Sequence, residues 1–330
     1  MSMQPRRWKP PPATPRARRK RSAPVMPELR RIELPGQGPE DVVVAADGRV
    51  LTGIDDGVIL AIDPRLGTME TIARTPGRPL GLHANPDGSV LICDTVGGLL
   101  RLERPGGQLE TLVHKVDGEP LNFPSNVVRA ADGTIYFTES SRRWPLEAWM
   151  GDILEHSGTG RLMRVTTGGE VEILLDGLDF ANGVVLAPDG SSVLVAETGG
   201  YRITRYRLTG DGAGTHDRLT ENLPGFPDNM YLGSDGLIWV SLTSPRNPLL
   251  DSLLPLPGLL RKLVWSIPEA LQPKPERTVW AMAFDFDGNL VHDLQREGTD
   301  YAMVTAAAEH EGVLYLGSIS ESAIAVTRVP

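Results

Sequence analysis

Cys93 is the only cysteine in the 330 residues, so no internal disulfide can form. A chain without that constraint is expected in a reducing compartment, here the cytoplasm. Long apolar runs are also missing, and without about 18 consecutive apolar residues no helix crosses a bilayer. Acidic residues are absent from the first 26 positions, which carry eight Lys/Arg; residues 27–330 hold 25 Lys/Arg against 42 Asp/Glu, a net of −17. A body this acidic is a poor match for duplex nucleic acid, because phosphate neutralisation needs Lys and Arg. The basic, Pro-rich head lacks an apolar stretch for secretion and is expected to be a disordered tail over residues 1–27.

What the chain has in quantity is turns, with 36 Gly and 28 Pro. Asp-Gly or Glu-Gly pairs between alternating apolar segments fall at Asp47, Asp87, Asp132, Asp189, Asp235, Asp287 and Glu311. Such pairs suit type I′ hairpins, whose two central residues need positive φ. The first five are spaced 40, 45, 57 and 46 residues apart, close to the period of a four-stranded propeller blade. Asp287 then marks the outer turn of the fifth blade and Glu311 the inner turn of the sixth. The last blade has three strands of its own, and the lone segment 28–36, "ELRRIELPG", supplies the fourth. The expected fold is therefore all-β: a six-bladed β-propeller over residues 28–330, closed by an N-terminal strand that hides two sheet edges.

Two segments exceed the repeat, 142–160 and 244–275, each after the second strand of a blade. Long connections in compact domains are usually functional or disordered, and these carry Trp144, Trp149, Trp265 and many Leu. They read as lids over an apolar pocket. A short helix near 259–267 within the second is alternatively suited to peripheral contact with a membrane surface.

In a propeller the first strand of each blade lines the central channel. Counting back seven from each inner-turn acid gives Glu40, Leu80, Ser125, Asn182, Asp228 and Val304, with Asn126 and Asn229 next in line. Isolated Asn or Asp residues at strand starts often bond local backbone. Their recurrence at one register, together with Glu40, favours a shared site. Two carboxylates with amide oxygens and no Cys or His form a hard donor set, suited to Ca²⁺ or another divalent cation rather than zinc. Two-residue loops would further place Asn126 opposite Glu139, Glu40 opposite Asp55 and Gly81 opposite Asp94; these acids would either orient ligands or satisfy backbone between blades.

The segments "FANGVVLAPDGSSVLVAET", "RPLGLHANPDG", "YFTESSRRW", "FPDNM" and "EHEGVLYLGS" resemble the strictosidine synthase-like branch of the gluconolactonase and paraoxonase superfamily, from about residue 28 to the last. The resemblance implies a calcium ion held by Glu40, Asn182 and Asp228; where the family usually has Asn-Asp in the third blade this chain has Ser125-Asn126, so the third-blade donor is either Asn126, the better donor chemically, or Ser125, which holds the register. It implies a small-molecule ester or lactone as substrate and Asp228 as catalytic proton acceptor. Leu80 stands where paraoxonases carry a histidine, and His83 is expected to point elsewhere. Thr305 stands where the plant synthases carry their acid-base glutamate. The first reading is thus a calcium-dependent esterase or lactonase. The rivals are a strictosidine synthase-type condensing enzyme and a non-catalytic propeller stiffened by calcium around a ligand.

Overall fold

The computed structural model describes residues 2–268 and 274–330. Residues 269–273 of the second expected lid lie outside the described residues. Six four-stranded antiparallel sheets form the blades of the ring. Blade 1 runs through Val42–Val44, Val50–Gly53, Val58–Ile62 and Met69–Arg74, and blades 2 to 5 repeat that order outward from the axis. Blade 6 combines Val304–His310, Val313–Ser318 and Ala323–Arg328 with Arg30–Glu33, which pairs antiparallel so that Ile32 faces Ile324. The ring closes as expected.

Each blade is covered on both faces by its neighbours, which explains why inner strands such as Val58–Ile62 and Ser192–Glu197 are buried throughout. The core is six apolar seams, one per blade junction. Leu51, Ile59 and Ile92 fill the seam between blades 1 and 2; Leu194, Val240 and Trp280 fill that between blades 4 and 5. Every seam removes apolar surface from water on two sheets at once.

The inner turns differ from the expected type at five of six blades. Only Glu311 and Gly312 both have positive φ, at 51° and 75°. At the Asp-Gly pairs glycine alone turns left-handed, and the loop is longer: by two residues in blade 4, where Ala187 N donates to Ser192 O, and by one in the other four, where for example Ala130 N donates to Thr134 O and Gly133 N to Ala130 O. The aspartate accepts instead from the backbone N–H two residues on, as Asp132 does from Thr134 and Asp189 from Ser191. This three-residue loop ending in a left-handed glycine is the next most common hairpin solution. A bulge between Pro124 and Val127 moves the register further, so Glu139 faces Pro124 rather than Asn126. Asp94 likewise faces Pro79 rather than Gly81. Glu139 is spent on structure, accepting from Asn122 N and Arg161; Asp94 Oδ1 accepts from the N–H groups of Val96 and Gly97, while its Oδ2 is buried without a hydrogen-bond partner.

The two insertions form a cap over one end of the channel. The first carries helix α1 (Trp149–Glu155), and the second carries α2 (Pro248–Leu253) and α3 (Gly258–Trp265). Trp144 and Trp265 meet edge to face at 5.2 Å and join the two lids. Leu259 and Leu263 of α3 remain well exposed.

The basic head corrects the expectation of a disordered tail. Residues 2–27 lie along the lids and the outer edge of blade 5. Arg6 N donates to Glu155 O of α1 at 2.9 Å, Arg261 of α3 donates to Arg6 O at 2.9 Å, and the Trp8 ring stacks on His156 at 4.3 Å. Arg16 forms a two-pronged ion pair with Asp293 and covers the Trp280 ring at 4.3 Å. The acidic body supplies the partners that a composition-based reading of an isolated head does not see.

Close approach at the axis depends on two glycines. A Cβ on Gly183 would overlap the Met230 amide and lie 2.6 Å from Asp228 O; one on Gly81 would lie 2.5 Å from Ser125 O. Gly183→Ala is therefore expected to cost ~1–3 kcal/mol or more through backbone displacement. Thermal denaturation checks this, and a midpoint equal to the parent's would show that the strands can separate freely.

Candidate functional site

The first strands deliver two successive polar rings to the axis. In the outer ring Ser125 Oγ donates to Asn182 Oδ1 at 2.9 Å, and Asn182 Nδ2 donates to Asp228 Oδ1 and to Thr198 Oγ1. Glu40 joins through Asn229 Nδ2, which donates to its Oε1 at 3.0 Å. In the ring formed by the next residues, Asn126 Nδ2 donates to Asn229 Oδ1 at 2.9 Å and approaches Asp41 Oδ2 at 3.4 Å. Thus Glu40, Asn182 and Asp228 converge as the register predicts. Asn126 sits one position further along its strand and reaches Glu40 through Asn229, while Ser125 keeps the register beside Asn182.

Two members were not anticipated as such. Asp41 accepts from the N–H groups of Leu82 and Val42, and so ties blade 1 to blade 2. Asn229 bridges blade 5 to Glu40 and Asn126. The signal for both was a polar residue at the position after the counted one, seen in "ED", "SN" and "DN".

Three carboxylates are thus buried together. Burial, with the negative charges of Asp228 and Asp41, pushes Glu40 well above the usual carboxylate range; Arg78 opposes that rise. Burial raises Asp228 to about 8, with Asp41 adding and the Asn182 hydrogen bond opposing. Burial raises Asp41 to about 7 against its two backbone N–H donors. The cause is desolvation of the charged form, reinforced by an apolar collar at the channel mouth. Phe123 and Phe180 pack edge to face at 5.5 Å beside Leu80 and Ile153, with Phe226 against them. These are the phenylalanines that recur nine residues before three of the inner-turn acids.

The donor chemistry fits an oxygen-seeking divalent cation. Glu40 Oε2 is buried with no hydrogen-bond partner, an arrangement that is costly unless a proton or cation answers it. Among the described residues no three of His, Cys, Asp and Glu form a metal-holding group; a cation here would take the carboxylates of Glu40 and Asp228 with amide oxygens, since Asp41 is committed to backbone. Such a hard set suits Ca²⁺.

Above the collar lies a cavity of about 330 Å³ between the lids, lined by Trp149, Ile153, Leu250, Leu253 and Val264. Its floor includes Thr198, the hydroxyl bonded to Asn182, and Phe226. His83 lies on the strand Pro79–Ala84 opposite Leu91; burial and the nearby Arg129 hold its pKa down to about 4. Thr305 is buried and donates its hydroxyl to Glu40 O at 2.6 Å.

Residues 126–211 match the strictosidine synthase family, and residues 25–62 the N-terminal region of strictosidine synthase-like proteins. The adipocyte plasma membrane-associated protein of Danio rerio is 35% identical over 306 residues, covering 85% of this chain and 73% of its own. Among solved structures, a gluconolactonase from Xanthomonas campestris superposes with a TM-score of 0.66 at 17% identity, covering 92% of this chain and 89% of that one. A calcium-binding regucalcin from Agrobacterium tumefaciens gives 0.59 at 15% identity, covering 89% and 93%. The last two share the fold.

The buried acids have a measurable consequence. Unfolded, Asp and Glu titrate near about 4; folded, Asp41 and Asp228 keep protons to about 7 and about 8. Between those limits the folded state binds more protons, so its stability falls as pH rises. In buffer free of divalent cations the melting temperature is expected to drop from pH 5 to pH 8, and Asp228→Asn to flatten the upper part of that drop. A stability that rises over this range would contradict the buried cluster.

Proposed function

The chain belongs to the strictosidine synthase-like family of propellers, and from that premise we propose that it is a calcium-dependent hydrolase of small, hydrophobic esters or lactones. The observation that carries the reading is the meeting of Glu40, Asn182 and Asp228, with Glu40 Oε2 unpartnered, directly beneath an apolar cavity. The relatives' names leave the reaction open; the gluconolactonase and calcium-binding neighbours support the lactonase side of the family.

Glu40 and Asp228 would hold the cation, with Asn182 orienting Asp228 and Asn229 orienting Glu40. The cation supplies electrostatic stabilisation to the oxygen that gains charge as the acyl group is attacked. The cavity between the lids takes the apolar part of the substrate and excludes water from it. Asp228 accepts the proton of the attacking water. The oxygen of that water bonds to the acyl carbon, the bond to the leaving oxygen breaks, and the leaving oxygen takes the proton back from Asp228. Burial raises Asp228 to about 8 in the cation-free site; a bound cation would favour its ionised form, the form that accepts a proton.

The condensing-enzyme reading has less support. Its acid-base group would sit at Thr305, whose hydroxyl is engaged by Glu40 O.

The test is a panel of lactones, aryl esters and phosphotriesters assayed with calcium, with chelator, and with Glu40→Gln. Hydrolysis of at least one member is expected with calcium, falling ~100-fold or more under either other condition. Turnover indifferent to all three would remove the reading. Tight calcium binding with a raised melting temperature and no turnover would instead favour a calcium-stiffened ligand-binding propeller.

A further inference from the structure

A second, more polar cleft of about 1170 Å³ adjoins the apolar cavity, and the two share Trp149, Met150, Lys274 and Met303. Arg78 lies in its wall, two residues before the channel position Leu80. Its backbone is fixed at both ends: Arg78 N donates to Thr95 Oγ1 at 2.9 Å, and Arg78 O accepts from Thr95 N at 3.1 Å. The side chain reaches back across blade 1 and lies on Gly38, donating from Nη2 to Gly38 O at 3.2 Å. Only glycine admits this, since a Cβ there would overlap Nη2 and lie 3.0 Å from Cζ.

A guanidinium carries five N–H donors and a permanent charge. Here one backbone carbonyl engages it, and Nε is buried without a partner. Among the described residues no carboxylate comes within ion-pair distance of Arg78, although Asp55, Asp56 and Glu147 line the same cleft. Asp56 is held by Arg74 at 3.3 Å, and Arg277, also in the wall, by Glu321 at 3.2 Å. The charge of Arg78 still reaches the channel, where it acts on Glu40. An unpaired, partly shielded Arg beside a reaction site fits planar anion recognition. The three acids in the same cleft favour a singly charged carboxylate over a doubly charged phosphate.

We propose that Arg78 is the specificity-determining residue of the cleft and receives a substrate carboxylate, so that the preferred substrates are amphiphiles: an apolar part between the lids, an acyl group over Glu40 and Asp228, and a carboxylate on Arg78. The substrate half of the proposal rests on the hydrolytic reading above. Anion binding by Arg78 rests on the cleft alone.

Two measurements separate these. The first compares 4-nitrophenyl hydrogen adipate with the neutral 4-nitrophenyl hexanoate. The parent is expected to prefer the carboxylate ester. Arg78→Met should lower the charged-to-neutral ratio of kcat/KM by ~10-fold or more, mainly through KM, and Arg78→Lys should recover part of it. An unchanged ratio in Arg78→Met, with a parental melting temperature, would overturn the proposal and leave Arg78 as a tie to Gly38. The second measures binding of free hexanoate, a single carboxylate, by calorimetry in chelator, where no cation competes for the anion. Saturable binding that Arg78→Met abolishes is expected even if neither ester is turned over, in which case the hydrolase reading fails and the anion subsite stands. Hexanoate binding equal in both proteins, or Arg78-dependent binding of inorganic phosphate without hexanoate, would overturn it.

Discussion

Negative charge buried at the propeller axis is the constraint from which most of this molecule follows. Glu40, Asp41 and Asp228 approach from blades 1 and 5, screened from water by strands on all sides and by phenylalanines above. Amides of Asn126, Asn182 and Asn229 link them without cancelling their charge. Charge in such surroundings must be neutralised by protons or by a bound cation, because an isolated buried carboxylate is expensive.

The rest of the structure holds that cluster in place. Glycines at 81 and 183 let neighbouring first strands approach backbone to backbone. Hydroxyls of Thr138, Ser241 and Thr305 cross from blade to blade to carbonyls beside the polar rings. Above, the lids are joined to each other by Trp144 and Trp265 and to the N-terminal segment by Arg6, Trp8 and Arg261. The apolar cavity is bounded by elements from distant parts of the chain, which gives it a fixed position over the axis.

Much of this was legible in the residues. The turn period gave six blades, and the lone segment before the first turn gave the closing strand. Counting from the turns also brought Glu40, Asn182 and Asp228 to one place, since that count runs along a single strand and does not depend on the type of turn. Cross-strand pairing was less legible. The three-residue loop and the bulge after Pro124 each move the register, and neither is encoded by apolar alternation, so Glu139 and Asp94 were paired with the wrong partners. Asp41 was passed over and Asn229 was named only as a neighbour, because one position per blade was counted and the next residue also faces the axis. The N-terminal segment was misread for a different reason. Its order comes from Asp179, Glu155 and Asp293, which are remote in sequence and near only after the ring has formed.

Pairing of Arg30–Glu33 with Ala323–Arg328 also orders events in time. The closing strand is made before any blade, and its partner follows 290 residues later. At about 5–20 residues per second of synthesis, that interval is roughly 15 to 60 s. Throughout it, the strand is an unpaired edge on the ribosome, and the five blades that can assemble meanwhile are an open arc. Three of its four residues, Arg30, Arg31 and Glu33, are charged, the kind of side chain that discourages mispairing of a waiting edge. The ring residues, Glu40 to Asn229, are all made before the last blade, but the circle that encloses them closes only when Ala323–Arg328 emerges.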